Sequence, residues 1–258
     1  MPKLNANLTM LFTEVDFLQR FGKAAAAGFK AVEFLFPYDY PAAQLAELLA
    51  KHKLTLVLHN LPVGNWAAGE RGLAVLPDRV GEFQAGVGRA IEYAQALGCP
   101  QLNCLVGKTP AGVKPEAVRK TLLDNLRFAA AALAKEKIRL LVEPLNSQDL
   151  PGFHLVHARE ALALFDEVGH PNLWLQYDIY HMQIMDGNLT RSIRDHLPRI
   201  AHMQLADNPG RHEPGTGEIH YPNLLRFIDE AGYTGWIGCE YVPAAGTEAG
   251  LGWAQPYL

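Results

Sequence analysis

The feature that most constrains the fold of this chain is a regular alternation of short apolar runs with longer amphipathic segments. Each apolar run is of strand length, and the segments between the runs carry apolar residues at helical spacing. No Ser/Gly-rich linker and no shift in composition interrupts the 258 residues. The alternation predicts one parallel α/β domain, because parallel strands need long crossover connections that helices usually supply.

The predicted strands number eight. They cover residues 4–9, 31–36, 54–59, 102–106, 138–143, 173–178, 200–205 and 236–240. The predicted helices cover residues 16–27, 42–51, 79–97, 115–135, 158–168, 188–196 and 221–231. Eight strands in a chain of this length favour a single (β/α)8 TIM barrel over residues 1–258 rather than an open doubly wound sheet. Neither a dinucleotide fingerprint nor a P-loop is present to support the open sheet.

Charge and composition limit the kinds of partner that this chain is expected to bind. A net charge of -4 and a pI near 6.2 provide no basic field for a polyanion, which argues against nucleic acid as a partner. No apolar run approaches the roughly 18 residues that span a bilayer, so no membrane contact is expected. Cys99, Cys104 and Cys239 form no CxxC pair, and reduced thiols in a cytoplasmic protein are the expected state. The oligomeric state stays open, with a homo-oligomer among the outcomes.

Oxygen-bearing side chains recur at the carboxyl ends of four neighbouring predicted strands. Glu143 follows an apolar run and precedes Pro144, which ends strand pairing because proline has no N–H to donate. Asp178, Gln204 and Glu240 hold the equivalent positions in strands six, seven and eight. Active sites of this fold lie at that end of the barrel, so the sequence predicts that these side chains meet there.

A divalent cation would reconcile these crowded acids with burial, because neighbouring carboxylates repel and each buried charge is costly. An all-oxygen set with positions left for substrate suits Mg²⁺ or Mn²⁺ better than Zn²⁺. The predicted metal ligands are Glu143, Asp178, Gln204 and Glu240. His202 competes with Gln204 for the strand-seven position, and we favour Gln204 because alternation places His202 one layer deeper.

Other polar residues near the predicted strand ends are candidates for substrate binding. They are His59, Glu70, Arg71, Lys108, His181 and Arg211. Glu70 and Arg71 belong to a long connection over residues 60–78, which is either a lid over the site or an ordered structural loop. An arginine can hold a substrate carboxylate through two parallel hydrogen bonds, and Lys108, Arg211 and Arg71 are the alternatives for that role.

Two acids beside a divalent cation suit proton transfer between adjacent carbons. The cation would stabilise the enediolate formed from a carbonyl and its neighbouring hydroxyl, while Glu143 and Glu240 remove one proton and return another. This chemistry is aldose–ketose isomerisation or epimerisation. A non-enzymatic protein that binds a sugar acid is the alternative, and it would keep cations such as Arg211 but need no facing glutamates.

Motifs along nearly the whole chain resemble the hydroxypyruvate isomerase family. They are the segments at 8–12, 36–40, 59–62, 65–72, 103–108, 176–182 and 213–218, among them Asn-Trp-Ala-Ala-Gly-Glu-Arg-Gly and Gln-Tyr-Asp-Ile-Tyr-His-Met. The resemblance implies a xylose-isomerase-like barrel that interconverts hydroxypyruvate and tartronate semialdehyde (2-hydroxy-3-oxopropanoate), a small hydroxy-oxo acid pair, with Glu143 and Glu240 as acid and base.

The same resemblance leaves alternatives open. It also covers 2-oxo-tetronate isomerases, whose substrate is one carbon longer, and ketose or sugar-acid epimerases. The epimerases usually carry a histidine where Gln204 stands, which implies a weaker or different metal here. An apurinic endonuclease belongs to the same group of barrels, but it needs several histidines at strand ends and a basic surface for DNA.

Overall fold

The structure, a computed structural model that describes all 258 residues, is a closed barrel of parallel strands in the order β1 to β8. The strands are β1 (Lys3–Asn7), β2 (Ala31–Glu33), β3 (Thr55–Asn60), β4 (Gln101–Cys104), β5 (Arg139–Val142), β6 (Leu173–Asp178), β7 (Ile200–Leu205) and β8 (Trp236–Cys239). β1 pairs with both β2 and β8, which closes the sheet and leaves no edge. The predicted (β/α)8 barrel is confirmed.

Helices cover the outside of the barrel. They are α1 (Phe17–Ala26), α2 (Ala42–His52), α3 (Val80–Leu97), α4 (Pro115–Lys135), α5 (Ala158–Val168), α6 (Ile179–Met185), α7 (Leu189–His196), α8 (Tyr221–Glu230) and α9 (Thr247–Gly250). Short 3-10 segments lie at Pro77–Arg79, Leu197–Arg199 and Leu251–Tyr257. None of the helices is both long and apolar enough to cross a membrane.

The main core lies between the sheet and the helices, as the apolar face of each helix requires. This core is one cluster of 68 buried residues, whereas a smaller cluster of 5 residues fills the barrel near the amino ends of the strands. Ala31, Leu141 and Ala201 belong to the smaller cluster, with Trp174 and Trp236 packed against it. The inside of the barrel above this plug is polar, and this is where the candidate site begins.

Most predicted boundaries shift by no more than two residues and helix α9 was not predicted, but the differences at β2 and after β6 bear on the site. β2 ends at Glu33, not at residue 36, because its pairing with β3 shifts register between Val32 and Glu33. Helix α6 was not predicted, because it follows β6 with no turn between them and Asp178 caps it by accepting a hydrogen bond from the Tyr180 N–H at 2.8 Å.

Candidate active site

Three buried acids meet at the carboxyl ends of the strands. Glu143 and Glu240 directly follow β5 and β8, and Asp178 is the last residue of β6. Glu143 and Glu240 are each 4% exposed and Asp178 is 1% exposed. Parallel strands that end at one rim bring these distant sequence positions together, as the spacing of acids at strand ends predicted.

A cavity of about 230 Å³ opens above these acids. Its lining residues are Met10, Leu35, Asn60, Trp66, Arg71, Leu105, Glu143, Leu145, Asp149, Leu150, His181, Arg211 and Glu240. The volume is below the roughly 300–1,000 Å³ of pockets that enclose drug-sized ligands. The cavity therefore suits a small polar molecule, with glutamates on the barrel side and two arginines in its wall.

Burial and neighbouring carboxylates raise the pKa values of the two glutamates. Burial raises the pKa of Glu143 well above its usual range, and the charges of Glu240 and Asp178 raise it further. Only one hydrogen bond in the structure opposes this, from Asn103 Nδ2 to Glu143 Oε2 at 2.8 Å. Burial also raises the pKa of Glu240 to about 8, although the charge of Arg211 acts in the opposite direction. A pKa of about 8 lets Glu240 exchange a proton near neutral pH, and Glu143 keeps its proton to a higher pH than an ordinary glutamate does.

Arg211 is the cation that faces these acids. Its Nη2 lies 2.8 Å from Glu240 Oε2 and 3.8 Å from Asp178 Oδ2, and its guanidinium stands 5.1 Å from the centre of the Tyr180 ring. The backbone of Arg211 has a φ of 56°, a left-handed conformation that is uncommon for residues other than glycine. The loop thus holds the arginine in a fixed position beside the acids.

His181 is held in one tautomer. Its Nδ1 accepts a hydrogen bond from the backbone N–H of Asn146 at 3.1 Å and lies 2.7 Å from the side-chain amide nitrogen of the same residue. Burial, together with the charge of Arg211, lowers the pKa of His181 well below its usual range. A neutral ring whose Nδ1 accepts must carry its proton on Nε2. His181 therefore offers a hydrogen-bond donor, and its Nε2 lies 3.5 Å from Asp178 Oδ2.

The buried acids offer oxygen ligands for a divalent cation. Ligand atoms of Glu143, Asp178 and His181 lie within 4.8 Å of one another, but the proton on His181 Nε2 removes that nitrogen from the donor set. Asp178 Oδ2 is buried with no hydrogen-bond partner, and burial raises the pKa of Asp178. The unpartnered oxygen of Asp178 and the raised pKa values of Glu143 and Asp178 are what a bound cation would stabilise, so these two acids offer oxygen ligands for a divalent cation.

Gln204 lies next to this set but is already engaged. Its Nε2 donates to Glu33 Oε1 at 2.8 Å, and its Oε1 accepts from Gln176 Nε2 at 2.5 Å. Although Gln204 pairs in register with Asp178, its side chain is therefore engaged in a hydrogen-bonded group around Glu33, which we call the lower layer. His202 lies in the same layer and donates from Nε2 to Glu33 Oε2 at 2.7 Å.

Glu33, at the end of β2, is the centre of this lower layer. Besides His202 and Gln204, Asn5 Nδ2 donates to it at 2.8 Å and Asn7 Nδ2 at 2.9 Å. Burial raises the pKa of Glu33, but the charge of His202 and these hydrogen bonds outweigh burial and lower the pKa below its usual value. Glu33 is thus an ionised, fully hydrogen-bonded carboxylate inside the barrel.

The lower layer and the acids at the mouth are joined by one amide. Asn7 Nδ2 lies 2.9 Å from Glu33 Oε1 and 3.1 Å from Glu240 Oε1, so a single side chain donates to both carboxylates. Across the barrel, Gly238 provides the space that Glu33 fills. A Cβ atom at Gly238 would lie 2.3 Å from Glu33 Oε1 and 2.5 Å from Oε2, which is closer than atoms can approach.

Of the predicted substrate-binding residues, Arg71, His181 and Arg211 line the cavity, whereas three others lie outside its lining. His59 lies next to the lining residue Asn60, but its ring packs edge-on against Tyr38 with the centroids 6.0 Å apart. Burial lowers the pKa of His59 to about 4, so it is a neutral buried ring. Neighbouring strand residues face opposite sides of the sheet, which explains why Asn60 rather than His59 reaches the cavity.

Lys108 and Glu70 have other surroundings. Lys108 is exposed and forms an isolated antiparallel bridge with Phe153. Glu70 pairs with Arg79 and accepts from the backbone N–H of Asn65, so it braces the loop over residues 61–76. That loop is ordered through its own contacts and supplies Trp66 and Arg71 to the cavity wall.

Sequence reasoning missed Glu33, Asn7 and Asn103. The signal for Glu33 was present, because a single carboxylate stands inside the apolar run Ala31-Val32-Glu33-Phe34 at the end of a strand. Asn7 and Asn103 occupy inward positions in β1 and β4, but an asparagine in a short strand gives no comparable signal in the sequence alone.

Known proteins are similar to this chain over its whole length. Residues 21–257 match the family described as xylose isomerase-like TIM barrel. A hydroxypyruvate isomerase of Escherichia coli (strain K12) is 57% identical over 257 residues, with 100% of both chains covered. A 2-oxo-tetronate isomerase of Cupriavidus necator is 48% identical over 258 residues, covering 100% of this chain and 99% of the relative.

A solved structure gives the same picture of the fold. A crystal structure described as an AP endonuclease, family 2, from Brucella melitensis superposes with a TM-score of 0.97. The two sequences are 49% identical, and the superposition covers 100% of this chain and 99% of the other.

Proposed function

Because the chain belongs to the xylose isomerase-like TIM barrel family, and within it to the hydroxypyruvate isomerase family, we propose that it interconverts hydroxypyruvate and tartronate semialdehyde. The chain is an isomerase, as its full-length relatives are. The observation that carries the proposal is the pair of buried glutamates in one small cavity, with pKa values raised by burial and by neighbouring carboxylates. Aldose–ketose isomerisation needs such a pair, because a proton leaves one carbon and another arrives at the next.

The residues have distinct roles in this proposal. Arg211, at 2.8 Å from Glu240, favours the ionised form of that glutamate, while Glu143, with a single hydrogen bond from Asn103, keeps its proton. Ionised Glu240 removes a proton from C3 of hydroxypyruvate, and protonated Glu143 returns one to C2. The hydroxyl proton moves from O3 to O2, so no atom is gained or lost. The two glutamates exchange roles in the reverse direction.

The developing oxyanion needs positive charge and hydrogen-bond donors. The Nε2–H of His181 and the guanidinium of Arg211 both reach the cavity, and both are held by protein contacts before substrate arrives. A Mg²⁺ or Mn²⁺ ion held by Glu143, Asp178 and Glu240 would add charge stabilisation for the enediolate. Gln204 would complete that set only by giving up its hydrogen bonds with Gln176 and Glu33.

2-Oxo-tetronate is the second candidate substrate, favoured by the 48% identity with a 2-oxo-tetronate isomerase over the whole chain. Both substrates present a carboxylate, an adjacent carbonyl and a hydroxyl, and they differ by one carbon. The endonuclease description of the Brucella protein gains no support from this chain. Its net charge is -4, and the protonated Nε2 of His181 is unsuited to binding zinc.

The test is proton NMR of each acid incubated with the protein in D2O, with Mg²⁺ or Mn²⁺ and again after chelation. Conversion of hydroxypyruvate with uptake of deuterium at carbon supports the proposal, and the ratio of kcat/KM values for the two acids decides between them. If both acids remain unchanged with metal present, the proposed reaction is refuted and a sugar-acid binding protein becomes the better description. We place the reaction in the cytoplasm, a proposal supported by three cysteines that are all free and buried.

A further inference from the structure

The cavity wall holds two arginines, and their surroundings differ. Arg211 is already paired, because its Nη2 lies 2.8 Å from Glu240 Oε2 and 3.8 Å from Asp178 Oδ2. Arg71 has no carboxylate within ion-pairing distance, and its Nη1 donates only to the backbone carbonyls of Trp66 at 3.0 Å and Glu70 at 2.7 Å. The charge of Arg71 is thus not neutralised by the protein.

The guanidinium of Arg71 also has an unused donor. Its Nε is buried and has no hydrogen-bond partner; the same is true of the Arg211 Nε, so the two arginines differ in their ion pairing and not in this donor. A buried N–H without a partner costs free energy unless a ligand supplies the acceptor. The other acid of the cavity wall, Asp149, does not supply it, because its carboxylate accepts from the Tyr180 hydroxyl at 2.8 Å and from Asn146 Nδ2 at 3.0 Å.

The loop fixes the position of Arg71 on both sides. The preceding residue, Glu70, pairs with Arg79. The following residue, Gly72, has a φ of 130° and lies so close to β4's exit loop that a Cβ atom would stand 2.0 Å from the Leu105 carbonyl oxygen. The guanidinium itself stacks on the Trp66 ring, with its carbon 3.7 Å from the ring centre. Little side-chain entropy therefore remains to be lost when a ligand binds.

We propose that Arg71 binds the carboxylate of the substrate and so makes the site selective for acids over neutral sugars. This inference rests on the proposed function, because it assigns one end of the same small acid. Arg71 holds the carboxylate on the loop side of the cavity, and the carbons that exchange a proton lie toward Glu143 and Glu240. Arg211 keeps its place beside the two glutamates and Asp178. Lys108, the third cation considered for this role, is exposed and outside the cavity lining.

The test compares Arg71→Met, Arg71→Lys and the matched control Arg159→Met, which alters an exposed arginine on α5. With hydroxypyruvate, kcat/KM falls roughly 100-fold in Arg71→Met through a higher KM, because a charged hydrogen-bonded pair is lost. Arg71→Lys restores part of the loss, and Arg159→Met behaves like the wild type. Thermal unfolding checks that each variant is folded.

Two further measurements separate a carboxylate contact from a structural role. Dihydroxyacetone has the same carbon skeleton as hydroxypyruvate but no charge. If Arg71 binds the carboxylate, the ratio of kcat/KM for hydroxypyruvate to kcat/KM for dihydroxyacetone is much lower in Arg71→Met than in the wild type. Calorimetry with D-glycerate measures binding without turnover, and we expect the dissociation constant to rise by a similar factor. A folded Arg71→Met variant that binds D-glycerate as tightly as the wild type overturns the inference.

The two proposals fail in different ways. If the wild type binds D-glycerate through Arg71 but does not convert hydroxypyruvate, the proposed reaction is wrong and the carboxylate site remains. If the wild type converts hydroxypyruvate and Arg71→Met keeps the wild-type KM, the reaction stands and another cation holds the carboxylate. If the wild type neither binds D-glycerate nor converts hydroxypyruvate, both proposals are refuted.

Discussion

Two sets of buried acids lie inside this barrel, and they have opposite electrostatics. Glu33 in the lower layer and Glu143 and Glu240 at the mouth are all nearly inaccessible to solvent. Glu33 accepts hydrogen bonds from Asn5, Asn7, His202 and Gln204, and its pKa is lowered. Glu143 accepts one from Asn103, faces two other acids, and its pKa is raised.

Burial alone does not decide whether a carboxylate in this barrel is ionised. Burial raises the pKa of all of these acids, and the neighbouring donors and charges together determine the outcome. Glu33 is therefore a structural anion that holds the strands in register around it. At the mouth, Glu143 has one donor and faces two acids, and Glu240 lies near Asp178 and Glu33; this crowding destabilises the native protein and raises both pKa values.

The largest expected effect comes from removing either mouth acid. Glu143→Gln and Glu240→Gln should each lower kcat on the order of 10³-fold, because each removes one partner in proton transfer. Hydroxypyruvate conversion followed by NMR measures the loss, and circular dichroism checks the fold. Substantial activity in either variant would remove that residue from the mechanism.

The same substitution in the lower layer should act on stability. Glu33→Gln is expected to lower the free energy of unfolding by about 3 kcal/mol, because donors that faced a carboxylate are left beside an amide. Urea unfolding measures the change, with Glu143→Gln as the matched control that should be neutral or stabilising. Equal stability of wild type and Glu33→Gln would break the contrast between the layers.

Above pH 5, the pH dependence of the free energy of unfolding should come from the glutamates at the mouth of the barrel. The pKa of Glu240 is about 8 in the folded protein against an ordinary 4.5, so the native state binds more protons between these values and stability falls as pH rises. The decrease should be on the order of 3 kcal/mol from pH 5 to 8 in chelated buffer.

Glu33 should change the pH dependence of stability in the opposite direction. Its folded pKa is lowered, so its contribution is complete above its unfolded pKa and is lost only as the pH falls below that value. Unfolding curves at several pH values should therefore show a flatter slope above pH 5 in Glu240→Gln and an unchanged slope in a folded Glu33 variant. An unchanged slope in Glu240→Gln would contradict the assignment.

The smallest expected effect is the energetic coupling between Glu33 in the lower layer and Glu240 at the mouth of the barrel. Asn7 donates to both Glu33 and Glu240, so Asn7→Ala and Glu240→Gln should not be additive in stability. A double-mutant cycle should give a coupling energy of about 1 kcal/mol. A cycle between Asn7→Ala and Arg159→Met, whose sites are unconnected, should give none, and additivity in the first cycle would mean that the layers are independent.

Much of the fold was readable from the sequence because its signals are local. Helices α4 and α5 and strands β6 and β7 have the predicted boundaries, since apolar periodicity marks their full length. Helix α6 escaped because a strand passes into it without a turn residue. β2 was predicted too long because a register shift depends on its partner β3, and a partner cannot be read from one strand.

The candidate site was readable only in part. Acids at strand ends identified Glu143, Asp178 and Glu240 as neighbours, which follows from the geometry of parallel strands. The roles of Gln204 and His59 depend on which hydrogen bonds and which face of the sheet they take, and both are set by residues far away in the chain. The sequence also left Arg71 and Arg211 equivalent, and only their three-dimensional partners distinguish them.

The close approach between Gly238 and Glu33 has an evolutionary consequence. A barrel that keeps the Glu33 carboxylate in its present position favours glycine at the facing position of β8, because a Cβ there would push the carboxylate oxygens away from their hydrogen-bond donors. The two positions, separated by most of the chain, should therefore tend to vary together among related sequences. A lineage that loses the carboxylate first frees the glycine to change, whereas one that changes the glycine first must rearrange the hydrogen bonds of the carboxylate.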